Sequence, residues 1–299
     1  MTWSEDSIHR ALLTGPKPRG LAGSRGHDAA VLASIAGRPV VCVDSCIEGV
    51  HFENTAPARD VGRKACARAL SDLAATAARP RAVLLALSAR RSRSEAWILE
   101  CVAGVRALAR ENGADLVGGD LASCEAPTSL VVTAIGAYTG RGTPPGRDRA
   151  RVGDVVVVTG PLGGSLLGRH LRIEPRIEQG IRLHALGARA LMDVSDGLAW
   201  DLHRLARAAG VRIELDLDLV PIHRDARRLA RRTQREPWDH ALHDGEDHEL
   251  VATLPKSAVP RSDATAIGRV LRGNGLVLRR QDGELAAWTP DNGGWKHGG

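Results

Sequence analysis

Apolar residues recur along the first half of the chain in two different rhythms. Pro39 to Val43 is a short unbroken run, the mark of a buried strand, whereas Val61, Ala65, Ala69 and Leu73 return every four residues and predict a helix over Val61–Ala78. Ser94–Asn112 carries a second helical pattern, which Gly113 stops. Short apolar runs at Leu116–Val117 and Leu130–Ala137 predict further strands. Thr143-Pro144-Pro145-Gly146 is the strongest break in the chain, so a domain boundary is expected near residue 148, with residues 1–148 before it and 149–299 after it.

Past that break, Asp154–Thr159 holds consecutive valines, the pattern of a strand covered on both faces, and leads into a glycine-rich turn at Gly160, Gly163 and Gly164. Ile213, Leu215, Leu217 and Leu219 alternate with Glu214, Asp216 and Asp218, which predicts a half-exposed strand whose acids face water. Glu249–Leu254 reads as one more strand. The glycine-rich segment from Asp291 onward is expected to move unless a ligand orders it.

Composition narrows the function classes. A chain of 299 residues, 43% hydrophobic, can bury a full core and has room for two domains. Its 41 Lys and Arg against 35 Asp and Glu leave a formal charge of +6, which raises nucleic acid as a partner. The arginines, however, are scattered along predicted helices (Arg204, Arg207, Arg224, Arg228), and aromatic residues make up only 3%, too few for base-stacking platforms. No nucleic-acid partner is expected. Cys42, Cys46, Cys66, Cys101 and Cys124 are odd in number and lack C-x-x-C spacing, so they read as reduced core thiols of a cytoplasmic protein. Met1–Gly20 has no apolar signal-like stretch, and no run approaches the roughly 18 apolar residues of a membrane span.

The informative pattern is an apolar segment running into an aspartate. It occurs at Val40–Val43 before Asp44, at Leu116–Gly119 before Asp120, and at Ala190–Met192 before Asp193. Ends of this kind are where α/β sheets build sites, although each aspartate alone could be a helix cap or a turn former. Asp28, in Gly26-His27-Asp28-Ala29-Ala30, and Asp72, among the small residues of Leu70-Ser71-Asp72-Leu73-Ala74, extend the series; Asp72 could equally pair with Arg68 one helical turn away. If such carboxylates shared a cleft, each pair about 4 Å apart would repel by about 4 kcal/mol at an effective dielectric near 20. Bound cations would relieve that repulsion, and an all-oxygen donor set suits Mg²⁺ beside a nucleotide phosphate. Neither a G-x-x-x-x-G-K-[ST] loop nor a protein-kinase glycine loop is present.

Taken in order, Gly26–Ala30, Asp44-Ser45-Cys46-Ile47-Glu48-Gly49-Val50-His51-Phe52, Leu70–Ala75, Gly118-Gly119-Asp120, Met192-Asp193-Val194-Ser195-Asp196-Gly197-Leu198 and Gly245-Glu246-Asp247-His248-Glu249-Leu250 resemble the motifs of the thiamine-monophosphate kinases, within the aminoimidazole-ribonucleotide-synthetase-like superfamily. The resemblance spans nearly the whole chain. It implies an α/β fold of the α+β type, with an N-terminal α/β domain that dimerises and a C-terminal mixed sheet covered by helices. It further implies that Asp28, Asp44, Asp72, Asp120, Asp193 and Asp196 hold several Mg²⁺ ions, and that Gly119, Asp120, Arg147 and Ser195 meet ATP, the co-substrate. Asp44, Asp72, Asp120 and Arg147 would carry catalysis, while His51, Glu246 and Trp295 would contact thiamine monophosphate. The partners implied are ATP, thiamine monophosphate and a second copy of the chain.

The sequence departs from the family pattern in four places. The doubled aspartate before Ala29 is His27-Asp28, and the hydroxyl pair before Asp44 is Cys42-Val43. The usual Gly-Gly-Glu-Asp-Tyr appears as Asp244-Gly245-Glu246-Asp247-His248, and the stretch from Gly164 to Arg176 is short. These departures keep two alternatives open: a non-catalytic ATP-binding descendant, and a related ATP-dependent enzyme with another acceptor.

Overall fold

In a computed structural model, residues 4–14, 16–22, 29–280 and 282–293 are described. The chain divides into two compact units: residues 1–73, 78–139 and 171–175 form the first, and residues 74–77, 140–170 and 176–299 the second.

In the first unit the order is α1 (Glu5–Leu12), β1 (Arg38–Ile47), α2 (Ala58–Ala75), β2 (Arg79–Arg90), α3 (Glu95–Glu111), β3 (Asp115–Cys124) and β4 (Ser129–Tyr138). The strands make one sheet in the order β1-β4-β2-β3, antiparallel except for the β2–β3 pair. Helix α3 is capped as its sequence suggests, with the Ser94 hydroxyl accepting from Trp97 N–H. Helices α2 and α3 cross in backbone contact: a Cβ on Gly62 would lie 1.8 Å from the Cys101 carbonyl, and one on Gly104 would lie 2.1 Å from the Arg59 carbonyl. Leu73 of α2 lies against Gly136 of β4, so the buried residues of α2 seal one face of the sheet. On β1 the alternate residues Val41 and Val43 are 63% and 62% exposed.

The sequence reading of this unit needs three changes. Strand β1 runs through Asp44 to Ile47, and β3 runs through Asp120 to Cys124, so both aspartates lie within strands and only Asp193 ends one. Strand β2 was not anticipated, because its leucine and alanine content does not separate strand from helix. Helix α2 starts three residues earlier than its apolar stripe.

The second unit contains β5 (Val155–Val158), α4 (Ile177–Ala185), β6 (Leu191–Asp193), α5 (Leu198–Ala209), β7 (Arg212–Asp216), α6 (Arg224–Thr233), α7 (Pro237–His243), β8 (Leu250–Leu254), β9 (Thr265–Leu271), β10 (Gly275–Arg279) and β11 (Leu285–Trp288). Its sheet is mixed, ordered β11-β10-β7-β9-β5-β8-β6, with β7 and β10 parallel. Helix α5 lays Leu198, Leu202 and Leu205 into a core shared with Val156, Val158, Ile213 and Val251. The period-2 stretch from Ile213 ends at Asp216, after which Leu217–Leu219 turns as a 3₁₀ helix. Asp218 is exposed as expected, but the other two acids are not simply wet: Glu214 is buried and bonds Arg269 at 2.8 Å, and Asp216 accepts from Asp218 N–H and pairs with Arg279. An ion pair stabilises the buried carboxylate that alternation alone would have turned toward water.

Candidate phosphoryl-transfer site

In the first unit, Asp44 sits mid-strand with its carboxylate anchored from two sides. Oδ1 accepts from Ser45 N–H at 2.7 Å and from the Arg68 guanidinium of α2 at 3.1 Å, so both bonds fall on one oxygen. Register puts Asp44 opposite Val132, Leu85 and finally Gly119, with Asp120 one row further along β3. Asp44 and Asp120 therefore stand three strand spacings apart, about 14 Å at roughly 4.8 Å per strand. They do not form a touching pair. Asp120 is exposed. Gly119 owes its identity to Leu85, whose carbonyl would lie 1.9 Å from a Cβ there. Asp72 is half-buried in the last turn of α2.

His51 follows β1 in a tight turn. Its Nδ1 accepts from Ile47 N–H at 3.0 Å, which leaves the proton on Nε2, and its carbonyl accepts a 2.5 Å bond from the fully buried Lys64. Lys64 was not singled out from the sequence. Its signal there was only an α2 lysine on the turn of the helix that carries the apolar stripe. Asp28 and Trp295 lie outside the described residues.

In the second unit the sequence-predicted residues converge more closely. Asp193 closes β6, and the next segment, Val194–Gly197, is laced to the segment Asp244–Glu249: Glu246 N–H donates to Ser195 O at 2.7 Å, His248 N–H to Val194 O at 2.8 Å, and Val194 N–H to Glu249 O at 2.8 Å. Gly245 takes φ 71° with the Ser195 carbonyl 2.6 Å from where a Cβ would stand, so a side chain fits neither the backbone nor the space. Asp196 pairs with Arg204 of α5. Arg147 is exposed, in a 3₁₀ turn that packs on α5.

Asp201, missed in the sequence, organises this corner. From the first turn of α5 its Oδ2 accepts the N–H groups of Ser195 and Asp196 at 3.0 and 3.1 Å, so it acts as a cap for the loop that presents both residues. Burial, with Asp196 and Asp193 nearby, pushes its pKa up to about 8. The available signal was an acid four residues after Gly197, in the first helical turn.

The altered Asp244–His248 motif is absorbed by specific partners. Asp244 accepts from Gly164 N–H at 2.9 Å and from His240 Nδ1 at 2.9 Å. Asp247 accepts from Gly163 N–H at 3.0 Å and pairs with Arg169 at 2.8 Å; burial nevertheless raises its pKa to about 6. Glu249 is gripped by Arg176 at 3.0 and 2.6 Å. The short stretch between Gly164 and Arg176 thus supplies two arginines that fix the acidic segment. His248 directs Nδ1 to Asp193 Oδ2 at 3.1 Å and Nε2 toward Glu246 Oε2 at 3.5 Å, beyond a formed hydrogen bond. Burial opposes its charge, but the two carboxylates outweigh burial and raise its pKa to about 9.

Among the described residues, no three or more His, Cys, Asp or Glu side chains gather into a metal-holding group. The predicted ligands Asp44, Asp72 and Asp120 belong to the first unit, and Asp193 and Asp196 to the second. Their donor chemistry fits Mg²⁺: every candidate ligand is a carboxylate, and among the described residues the bonds to Asp44 both fall on Oδ1.

A four-stranded sheet sealed by crossed helices, followed by a unit built on a mixed sheet, places the chain in the AIR synthase-related class; residues 26–138 match the family "AIR synthase related protein, N-terminal domain". The thiamine-monophosphate kinase of Rhodopirellula baltica is 36% identical over 290 residues, covering 91% of this chain and 90% of that protein. The thiamine-monophosphate kinase of Mycobacterium tuberculosis is 38% identical over 295 residues, covering 90% and 87%. The solved structure "AaThiL complexed with AMPPCP and TMP" superposes with a TM-score of 0.79 at 29% identity, covering 98% of this chain and 95% of that one. The chain belongs to the thiamine-monophosphate kinase family, whose members are phosphotransferases.

Proposed function

We propose that this protein transfers the γ-phosphoryl group of ATP to the phosphate of thiamine monophosphate, giving thiamine diphosphate and ADP. The observation that carries this reading is the match, over 98% of this chain, to a protein holding both AMPPCP and TMP. A phosphate oxygen of thiamine monophosphate attacks the γ-phosphorus, and the bond to the bridging oxygen breaks with its electron pair leaving on ADP. The acceptor is already an anion, so alignment and charge neutralisation carry the reaction and no strong base is needed.

Asp28, Asp44, Asp72, Asp120, Asp193 and Asp196 would hold Mg²⁺, which when bound neutralises charge on the transferred and leaving oxygens. Arg147, exposed, is available to meet the ATP phosphates, and Ser195 is held for the same purpose by the Asp201 cap. His51, Glu246 and Trp295 are assigned to the acceptor. Residues 1–148 would supply most of the metal ligands and residues 149–299 would complete the ATP and acceptor sites. A homodimer is supported by the exposed Val41 and Val43 on the sheet face away from α2, and a cytoplasmic setting by the five free cysteines.

The test is ADP release in Mg-ATP with and without thiamine monophosphate. Acceptor-dependent release accompanied by thiamine diphosphate is expected. ATP binding without acceptor-dependent turnover would instead favour the non-catalytic reading.

A further inference from the structure

We infer that His248 is a positioning residue that ties the metal-side carboxylate of Asp193 to the acceptor-side carboxylate of Glu246, an inference that rests on the roles proposed for those two carboxylates. Its ring is 1% exposed and reaches Asp193 Oδ2 at 3.1 Å and Glu246 Oε2 at 3.5 Å from opposite nitrogens. An aromatic ring of fixed size therefore sets the spacing between two acids on different segments. The imidazole offers two polar ends on opposite sides of one rigid ring.

The backbone is shaped to hold this ring. Glu246 and His248 both adopt left-handed φ, 56° and 52°, which costs on the order of 1 kcal/mol or more for each non-glycine residue. Between them Asp247 is pinned by Gly163 N–H and Arg169, and on either side the backbone bonds to Ser195 and Val194 fix the segment. The conformation is over-determined, and it sets the His248 ring against both Asp193 and Glu246.

Two substitutions separate the two ends of the ring. In His248→Asn the amide nitrogen stands near the place of Nδ1 and keeps the donor to Asp193. In His248→Gln it stands near the place of Nε2 and keeps the donor to Glu246. Isothermal titration with Mg²⁺ and AMPPCP, and separately with thiamine monophosphate, reads each end without requiring turnover. His248→Gln is expected to weaken the nucleotide roughly tenfold and leave thiamine monophosphate unchanged, as the loss of the charge-assisted bond to Asp193 predicts, and His248→Asn to weaken thiamine monophosphate about threefold and leave the nucleotide unchanged, as the loss of the looser ion-pair contact to Glu246 predicts. Equal effects of both variants on both ligands, or no effect in folded protein, would overturn the inference. If neither variant folds, a crystal structure of wild-type protein with Mg²⁺, AMPPCP and thiamine monophosphate decides: the ring must lie within ion-pair distance of both carboxylates, and a ring turned away from either refutes the tie. Wild-type protein that binds no thiamine monophosphate would refute the acceptor assignment itself, and this inference with it.

Discussion

Asp44 shows how much of a site one residue can carry and how much its surroundings add. Asn at this position keeps the shape and can still accept on its carbonyl oxygen, but it removes the negative charge from the proposed metal ligand set. Asp44→Asn is therefore expected to melt within a few degrees of wild type while turnover at saturating Mg-ATP falls by roughly two to three orders of magnitude, the scale of losing a preorganised electrostatic contact. Near-wild-type turnover would remove Asp44 from the ligand set. The aspartate was legible because it sat inside an ordered motif; its anchoring by Arg68 was not, because the pairing joins residues 24 positions apart on different elements. Asp201 was missed although its bonds to Ser195 and Asp196 are local, because an acid in a first helical turn is the ordinary pattern and does not by itself mark a loop cap. The contact of His248 with Asp193 was not legible, since 55 positions separate them.

The cysteines give a second residue-scale prediction. Cys66 is fully buried, and burial pushes its thiol from the ordinary 9.0 up to about 12. The folded state then keeps a proton that the unfolded chain releases above its own pKa, so the unfolded state binds fewer protons and stability falls as pH rises from 9.0 toward about 12. Urea denaturation across that range should show a steeper decline in wild type than in Cys66→Ala. Equal slopes would mean that the thiol ionises as freely in the fold as outside it.

At the scale of elements, the crossing of α2 and α3 is the most exacting contact of the first unit. Gly62→Ala gains about 1 kcal/mol of helix propensity. It also drives a methyl against the Cys101 carbonyl, a backbone atom that no rotamer change can move, and overpacking of this kind costs about 1–3 kcal/mol or more. Loss is expected to prevail, seen as a lower urea midpoint with an unchanged slope; a midpoint at or above wild type would show that the helices can separate at little cost. Long, periodic helices were legible here, and so was the Ser94 start of α3. The edge strand β3 was read as only two residues, since a strand with one exposed side tolerates Gly118, Gly119, Asp120 and Ser123 without an apolar rhythm.

At the scale of the whole molecule, the fold class was legible because six motifs kept their order over nearly the full chain. In the structure, residues 74–77 group with the second unit and 171–175 with the first, short segments that carry no break of their own in the sequence. The exposed valines of β1 make oligomeric state a direct test of the proposed pairing of two copies. Val43→Asp places a charge on that open face and is expected to shift the protein to monomer in light scattering at micromolar concentration, with the monomer still folded. A dimer that survives the substitution would place the interface elsewhere.

The reaction itself can be watched at its phosphorus atoms. Phosphorus NMR of wild-type protein with Mg²⁺, ATP and thiamine monophosphate should show the monophosphate resonance replaced by the two coupled resonances of thiamine diphosphate as ADP accumulates one for one, with chelation of Mg²⁺ halting both. Inorganic phosphate in place of the diphosphate, or an unchanged thiamine monophosphate resonance while ATP is consumed, would contradict transfer to this acceptor.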